Sequence, residues 1–308
     1  AHNKTPVCAA GGLVFSRSPP PDSGREYSVR SLGDGQAQWT GAGAAIRTQT
    51  VSHGRVYTIR DTKPGVGEFD PYFAVTARDA RTGVKCWQQS YHGTAESIAA
   101  TDDRLIVSDH DEGVLALDPA TGEKQWRSEA TTSEVVVADG RVVLGQTDEP
   151  GAISLEDGSV DWQIQTADIP ADAFGGEDAS QSLRFEIGAV TSRAVIYRVK
   201  PDREYPWRVR AYSLFSGKLL WDFGPEPEPD RDGYYTRPIA VGDDVLIRKS
   251  GWEGEEHEDP SDTLLRLDAT SGEERGRMRV PGRYRLYQPI VADNTLLIPT
   301  NKRFHAYR

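Results

Sequence analysis

One spacing recurs along the chain and limits what it can fold into: a tryptophan lies four residues after a glycine, and the glycine sits in a turn between two short strands. The clearest copy is Val114 to Trp126, VLALDPATGEKQW. Alternating residues (Val114, Leu115, Ala116, Leu117) lead into Asp118-Pro119-Ala120-Thr121-Gly122, and a second strand carries Trp126. The same arrangement ends at Trp39, Trp87, Trp162 and Trp221, after Gly35, Gly83, Gly158 and Gly217. A sixth copy, LLRLDATSGEERG, keeps Gly272 but has Gly276 in the tryptophan position. Self-similarity at this period marks one supersecondary unit copied along the chain.

Ahead of each copy stands a short apolar strand, a tight turn and another strand. The seven examples begin at Pro6, Thr50, Ser97, Glu134, Ile187, Pro238 and Pro289. Their turns use Gly, Asp, Asn and Ser, which tolerate hairpin backbone angles. The flanks are β-branched residues and Leu, as strands prefer. Joining the halves gives four strands per unit, a to d, seven times. The expected fold is all-β: a seven-bladed β-propeller of four-stranded antiparallel blades in one domain. The blades span about 5–40, 44–88, 96–127, 133–163, 185–222, 236–277 and 286–308. A straight solenoid would need polar capping repeats, which the sequence lacks. The last copy stops at Phe304 to Arg308, so its d strand is missing. Either that blade has three strands, or a segment ahead of Ala1 completes it. A chain starting at Ala1 rather than Met reads as trimmed or processed, and it shows no signal peptide.

The spacing has a mechanical reading. Glycine supplies the positive φ of the c–d turn. The tryptophan is then placed to cover a small c-strand residue of the neighbouring blade, such as Ala77, Ala116 or Ala211. Burying one indole contributes roughly 2–4 kcal/mol. Trp39, Trp87, Trp126, Trp162 and Trp221, with Gly83, Gly122 and Gly217, are therefore read as structural. Gly276 predicts a weaker sixth junction.

These residues resemble the PQQ-like repeat family, whose blades carry Ala-x-Asp-x-x-Thr-Gly-x-x-x-Trp. Ala116 to Trp126 matches at every position, and Ala77 to Trp87 matches as well. The resemblance spans nearly the whole chain and implies the propeller fold, while the family's functions are mixed. Its quinoprotein dehydrogenases have eight blades, an adjacent cysteine pair and a calcium site. This chain has seven units and two separated cysteines, so no PQQ and no other cofactor is expected. The cofactor-free branch includes BamB-like assembly scaffolds and propeller domains on the outer side of actinobacterial membrane Ser/Thr kinases. Arg outnumbers Lys 28 to 8, a composition that looks like the actinobacterial members.

The formal charge is −11 and the pI about 5.1, which argues against a nucleic-acid partner, since a phosphate backbone calls for a basic stripe. No apolar run approaches the ~18 residues of a membrane span. Cys8 and Cys86 imply no disulfide framework and are read as small buried residues. A protein or small-molecule ligand remains the expected partner of a monomeric, extracytoplasmic propeller.

The extra length points to where such a ligand would bind. The a–b and c–d turns are uniformly short. Insertions lie in b–c loops (16–26, 61–71, 201–205, 250–262) and d–a loops (163–184, 224–237), which share one end of the blades. Insertions gathered at one end of repeats mark a binding face. Trp207 and Trp252 lie in or beside these loops, with Tyr205, Phe215, Tyr234 and Tyr235 near them in sequence, as candidates for an aromatic patch. Glu255 and Glu256, and Asp109 and Asp111, belong to two acidic loops without a calcium-loop pattern, read as solvated charge. His92, His110 and His257 are weak catalytic candidates, since a loop His titrates near neutrality. His53, in an a–b turn, and His305, on a strand, are read as structural. No Ser-His-Asp spacing, P-loop, HExxH or CxxC is present, and no metal site is expected. A binding or sensor module, in one form the sensor of a membrane Ser/Thr kinase, is favoured over a lyase, cyclase or hydrolase.

Overall fold

A computed structural model describes residues 8–10, 12–17, 26–31, 33–42, 46–62, 72–109, 112–147, 149–165, 169, 183–200, 207–224, 237–249, 261–281, 290–292, 295–299 and 304–307. Among them the regular structure is strand alone, in seven antiparallel sheets. Sheet 1 holds β1 (Cys8–Ala10), β2 (Leu13–Arg17), β3 (Glu26–Ser31) and β4 (Ala37–Ala42). Sheet 2 holds β5 (Ile46–Ser52), β6 (Arg55–Thr62), β7 (Tyr72–Asp79) and β8 (Lys85–His92). Sheet 3 holds β9 (Ala95–Ala100), β10 (Leu105–Asp109), β11 (Gly113–Leu117) and β12 (Lys124–Ser128). Sheet 4 holds β13 (Glu134–Ala138), β14 (Arg141–Gly145), β15 (Gly151–Ser154) and β16 (Val160–Gln163). Sheet 5 holds β17 (Arg184–Val190), β18 (Ala194–Lys200), β19 (Arg208–Ser213) and β20 (Leu219–Phe223). Sheet 6 holds β21 (Ile239–Val241), β22 (Asp244–Lys249), β23 (Ser261–Asp268) and β24 (Glu274–Pro281). Sheet 7 holds three described strands, β25 (Ile290–Ala292), β26 (Thr295–Pro299) and β27 (Phe304–Tyr307). In every sheet the spatial order is the chain order.

The chain divides into two compact units, Ala1–Val142 with Ser154–Ser159, and Val143–Ile153 with Val160–Arg308. In the first, Tyr57, Ile59, Phe73 and Val75 of sheet 2 pack with Ile98, Leu105, Val107, Leu115 and Leu117 of sheet 3. In the second, Ala189, Ile196, Val209 and Ala211 of sheet 5 pack with Val245, Ile247, Leu265 and Leu267 of sheet 6. The middle strands β10 and β11 are buried at every position, while the outer strand β12 is mostly exposed. A strand packed on both faces shows no in–out alternation, so β11 reads as a continuous apolar run and β10 starts as one before ending in the buried Ser108 and Asp109.

The repeat pattern is explained atom by atom in the c–d turns. In sheet 3, Asp118 Oδ1 accepts from Ala120 N at 2.7 Å, Thr121 N at 2.8 Å and Thr121 Oγ1 at 3.2 Å. Asp79 and Asp268 do the same in sheets 2 and 6. In sheet 4 Ser154 takes that place. The glycine follows at positive φ, 74° at Gly83 and 81° at Gly122. Each tryptophan then reaches forward to the next turn. Its indole N–H donates to the carbonyl one residue after the capping position: Trp39 to Ala80 (2.8 Å), Trp87 to Pro119 (3.0 Å), Trp126 to Leu155 (3.1 Å), Trp162 to Leu214 (2.7 Å) and Trp221 to Ala269 (3.0 Å).

The ring lies flat over that turn's glycine. A Cβ on Gly83, Gly122, Gly158, Gly217 or Gly272 would meet the indole at 2.6–2.8 Å. This corrects the seat expected from sequence. Ala77, Ala116 and Ala211 are instead cross-strand partners of the tryptophan of their own sheet, Trp87, Trp126 and Trp221. A small residue is needed there because the bulky ring rises from the adjacent strand. In sheet 6, Gly276 pairs with Arg266, and around it Arg275 bridges Asp244 (2.7 Å) and Asp268. Among the described residues no side chain comes within 4 Å of a Cβ placed on Gly35, the corresponding glycine of sheet 1.

The burial expected of Cys86 is also corrected. Cys86 carries an exposed free thiol. It precedes the buried Trp87 on the outer strand β8, and period-two alternation turns it to solvent. The Cys8 side chain lies outside the described residues.

The turn caps predict an acid limb. The Thr121 N–H holds the Asp118 carboxyl below its usual range, the Thr82 hydroxyl does so for Asp79, and the Ser271 N–H for Asp268. A depressed folded-state pKa contributes stability above the unfolded value and loses it as pH falls through the folded one. The thermal midpoint should therefore fall as pH drops below about 4. Asp118→Asn, which keeps an oxygen cap but cannot titrate, should flatten that fall. An unchanged acid limb in this variant would place the titration elsewhere.

Candidate functional site

Antiparallel order puts the a–b and c–d turns at one end of each sheet and the b–c and d–a loops at the other. At the loop end of sheets 2 and 3, β8 finishes at His92 and β10 at Asp109. His92 Nδ1 lies 3.5 Å from Glu112 Oε1, and its ring meets Tyr72 edge-on at 5.5 Å. Arg127 pairs with Glu112 Oε2 at 2.5 Å and donates from Nε to the Glu112 carbonyl at 2.7 Å. The His92 side chain is 46% exposed and that of Glu112 29%, so the pair is wet rather than desolvated.

Asp109 is fully buried, not a solvated loop charge as the sequence suggested. It is the last residue of β10, and its Oδ1 accepts from Glu112 N at 2.8 Å, closing the b–c turn. Its carboxylate lies against Gly93, where a Cβ would collide with it. A glycine at φ 110° is what lets the strand pass. Glu112 was read only as solvated charge of the acidic loop 109–112, and Arg127 escaped the sequence reading, since it carries no motif. The only signal was that Arg127 follows a repeat tryptophan.

Trp207 is half-buried, one residue before β19. The Arg198 guanidinium stacks 4.0 Å from its ring centroid, and Lys200 Nζ lies at 5.9 Å. Arg198 also pairs with Glu186. A stacked guanidinium of this kind contributes about 0.5–1 kcal/mol at a wet site. Phe215 is not part of this group. It is exposed in the c–d turn at the far end of β19, about 20 Å of strand away. Tyr205, Tyr234, Tyr235, Trp252, Glu255, Glu256, His257, His110 and Asp111 lie outside the described residues.

A cleft of about 620 Å³ opens at the turn end, where no site was expected. One side is the c–d turn of sheet 3 (Asp118, Pro119, Ala120) and the other that of sheet 4 (Ser154, Leu155, Glu156). The a–b turns add Asp102, Asp103, Arg104 and Gly140, with Arg55 from the start of β6. The Pro119 carbonyl in its wall is gripped from sheet 2 by three donors, the Trp87 indole (3.0 Å), the Tyr57 hydroxyl (3.2 Å) and Arg55 Nη1 (3.2 Å). Next to it, Tyr91 donates to the Gly122 carbonyl, and burial pushes its phenol up to about 12. His53, at the neighbouring a–b turn, pairs with Asp102.

Capped turns, indoles docked forward and seven antiparallel sheets define the fold as a β-propeller. The family model described as outer membrane protein assembly factor BamB matches residues 71–193 of this chain. The fold is similar to that of BamB from Moraxella catarrhalis, with a TM-score of 0.59 and 16% identity over 95% of this chain and 81% of that one. It is also similar to the computationally designed Ika8 protein (TM-score 0.56, 14% identity, 95% and 91% covered). Hsv2p of Kluyveromyces lactis is a third likeness (TM-score 0.55, 9% identity, 93% and 85% covered). No curated protein matches the sequence. Likeness at these identities establishes the fold and leaves function to the sites.

Proposed function

We propose that this chain is a non-catalytic, extracytoplasmic binding propeller, a scaffold or sensor that engages a protein partner at the loop ends of its sheets. The observation that carries this is the state of the His92–Glu112 pair. Active sites concentrate carboxylates and histidines whose charge is perturbed by burial and specific partners. Here both side chains are partly exposed, and Glu112 is already committed to Arg127. The likeness to BamB, an assembly factor by its family description, supports the scaffold form. The kinase-sensor form rests on resemblance and composition alone. The reading includes no quinone, because the two cysteines, Cys8 and Cys86, are not the adjacent pair of the quinoprotein dehydrogenases.

Two measurements test the reading. Cys86 should react with a membrane-impermeant maleimide on intact native cells, and Cys86→Ser should abolish that label. Reaction only after lysis would overturn the extracytoplasmic placement. Photo-crosslinking residues at His92 and Glu129, both at loop ends, should capture one and the same protein in the cell envelope, while the exposed turn position Val84 should not. Capture from Val84 alone would move the partner surface to the other end of the sheets.

A further inference from the structure

The c–d turn of sheet 1 has the build of the other c–d turns and a different surface. In sheet 2 the Gly83 N–H donates to the Asp79 carbonyl at 2.9 Å, and Arg78 Nη1 braces the Gly83 carbonyl at 3.0 Å. Trp39 lies on this frame, and a Cβ on Gly83 would meet its ring at 2.7 Å. Sheet 1 repeats the frame. The Gly35 N–H donates to the Ser31 carbonyl at 3.0 Å, Arg30 Nη1 braces the Gly35 carbonyl at 3.0 Å, and Ser31 Oγ accepts from Gly33 N at 3.2 Å. The two glycines share a backbone, φ 69° at Gly35 and 74° at Gly83. Yet a Cβ on Gly35 meets nothing within 4 Å. Gly35 is exposed, whereas Gly83, Gly122, Gly158, Gly217 and Gly272 are buried or half-buried beneath their indoles.

We infer that the Gly35 turn is a docking seat for a tryptophan carried on an extended segment of a separate partner polypeptide. The five covered turns say what this frame accepts: in each, an indole borne on a strand lies on the glycine. A glycine at positive φ offers flat backbone with no Cβ, and a large ring buries much area on it. The chain's described indoles are spent elsewhere. Trp39, Trp87, Trp126, Trp162 and Trp221 cover the other five turns, and Arg198 stacks on Trp207. A second copy of the chain would bring another net charge of −11, which opposes self-association and favours a less acidic partner. The seat is at the turn end of sheet 1, so it stands whether or not a partner binds the loop ends.

The chain supplies the probe. The peptide Ac-TGEKQWRSE-NH2 copies Thr121 to Glu129, and a twin carries alanine in place of its tryptophan. The 15N-labelled protein is titrated with each, and the glycine amides are followed by NMR. The tryptophan peptide should move the Gly35 amide saturably through the ring current, with Gly83, Gly122 and Gly158 still; the alanine twin should move none of them. Gly35→Ala should weaken the midpoint about tenfold or more, because the new Cβ takes the place of the ring. Gly54→Ala is the control for backbone strain. Its glycine lies in an a–b turn at φ 71°, also with nothing within 4 Å, and the variant should titrate like the wild type. No saturable shift at Gly35, equal binding by the alanine twin, or wild-type titration by Gly35→Ala overturns the proposal. A Gly35 resonance that moves on dilution without peptide assigns the seat to a second copy and overturns the separate partner. Should Gly35→Ala fail to fold, the comparison of the two peptides on the wild-type protein still decides.

Discussion

Gly122→Ala should destabilise the protein by roughly 3 kcal/mol, while Gly140→Ala should cost about 1 kcal/mol. The two glycines have nearly the same backbone, φ 81° and 74°. Both substitutions therefore incur the left-handed strain of an L-residue, and that shared cost cancels in the comparison. They differ in what a Cβ meets. At Gly140 nothing lies within 4 Å; at Gly122 the Trp87 ring is at 2.8 Å and Gln89 Cγ at 2.9 Å. The ring cannot withdraw without lengthening its bond to the Pro119 carbonyl. Equilibrium denaturation of the two variants isolates the seat from the turn. Equal losses would mean that glycine is there only for its backbone.

The second large effect comes from the other side of the same contact. Trp87, Trp162 and Trp221 are each no more than 9% exposed, and alanine at any of them should cost about 3–5 kcal/mol. The cost has two parts, a cavity left by the indole and a turn carbonyl deprived of its donor. Phenylalanine restores most of the volume but not the donor, so it should recover more than half of the loss. Trp39 and Trp126 are only part-buried, and their alanine variants should lose about half as much. Chemical denaturation of the five alanine variants gives the order. If the part-buried pair cost as much as the buried three, burial would not be what the repeat tryptophan contributes.

Much of the fold could be read from the residues because the informative signals are local. A turn capped by Asp118 and closed by Gly122 is written in five consecutive positions, and β-branched runs with turn residues between them delimit the strands. The destination of Trp87 is not local. It lands on Pro119 and Gly122, 32 and 35 residues on, and only the stacking of one sheet on the next makes that turn its neighbour. From the sequence, an alanine at the matching height looked like the seat. Cys86 was misplaced for a similar reason: average cysteine burial outweighed its position beside a buried tryptophan on an outer strand. Asp109 looked like part of an acidic loop, yet the strand continued one residue further and carried it inside. The turn-end cleft left no trace in loop length, because short turns of sheets 3 and 4, with Arg55 of β6, line it.

The forward-reaching indole bears on how such a chain can change its length. Sheets 2 to 5 each carry a plug for the sheet after and a socket for the sheet before, while sheet 1 contributes a plug and sheet 6 a socket. Duplicating or deleting one whole unit among sheets 2 to 5 in the genetic record leaves each surviving plug facing a socket of the same design. Growth by copying needs no newly invented joint, whereas a half-unit insertion would orphan one at each break.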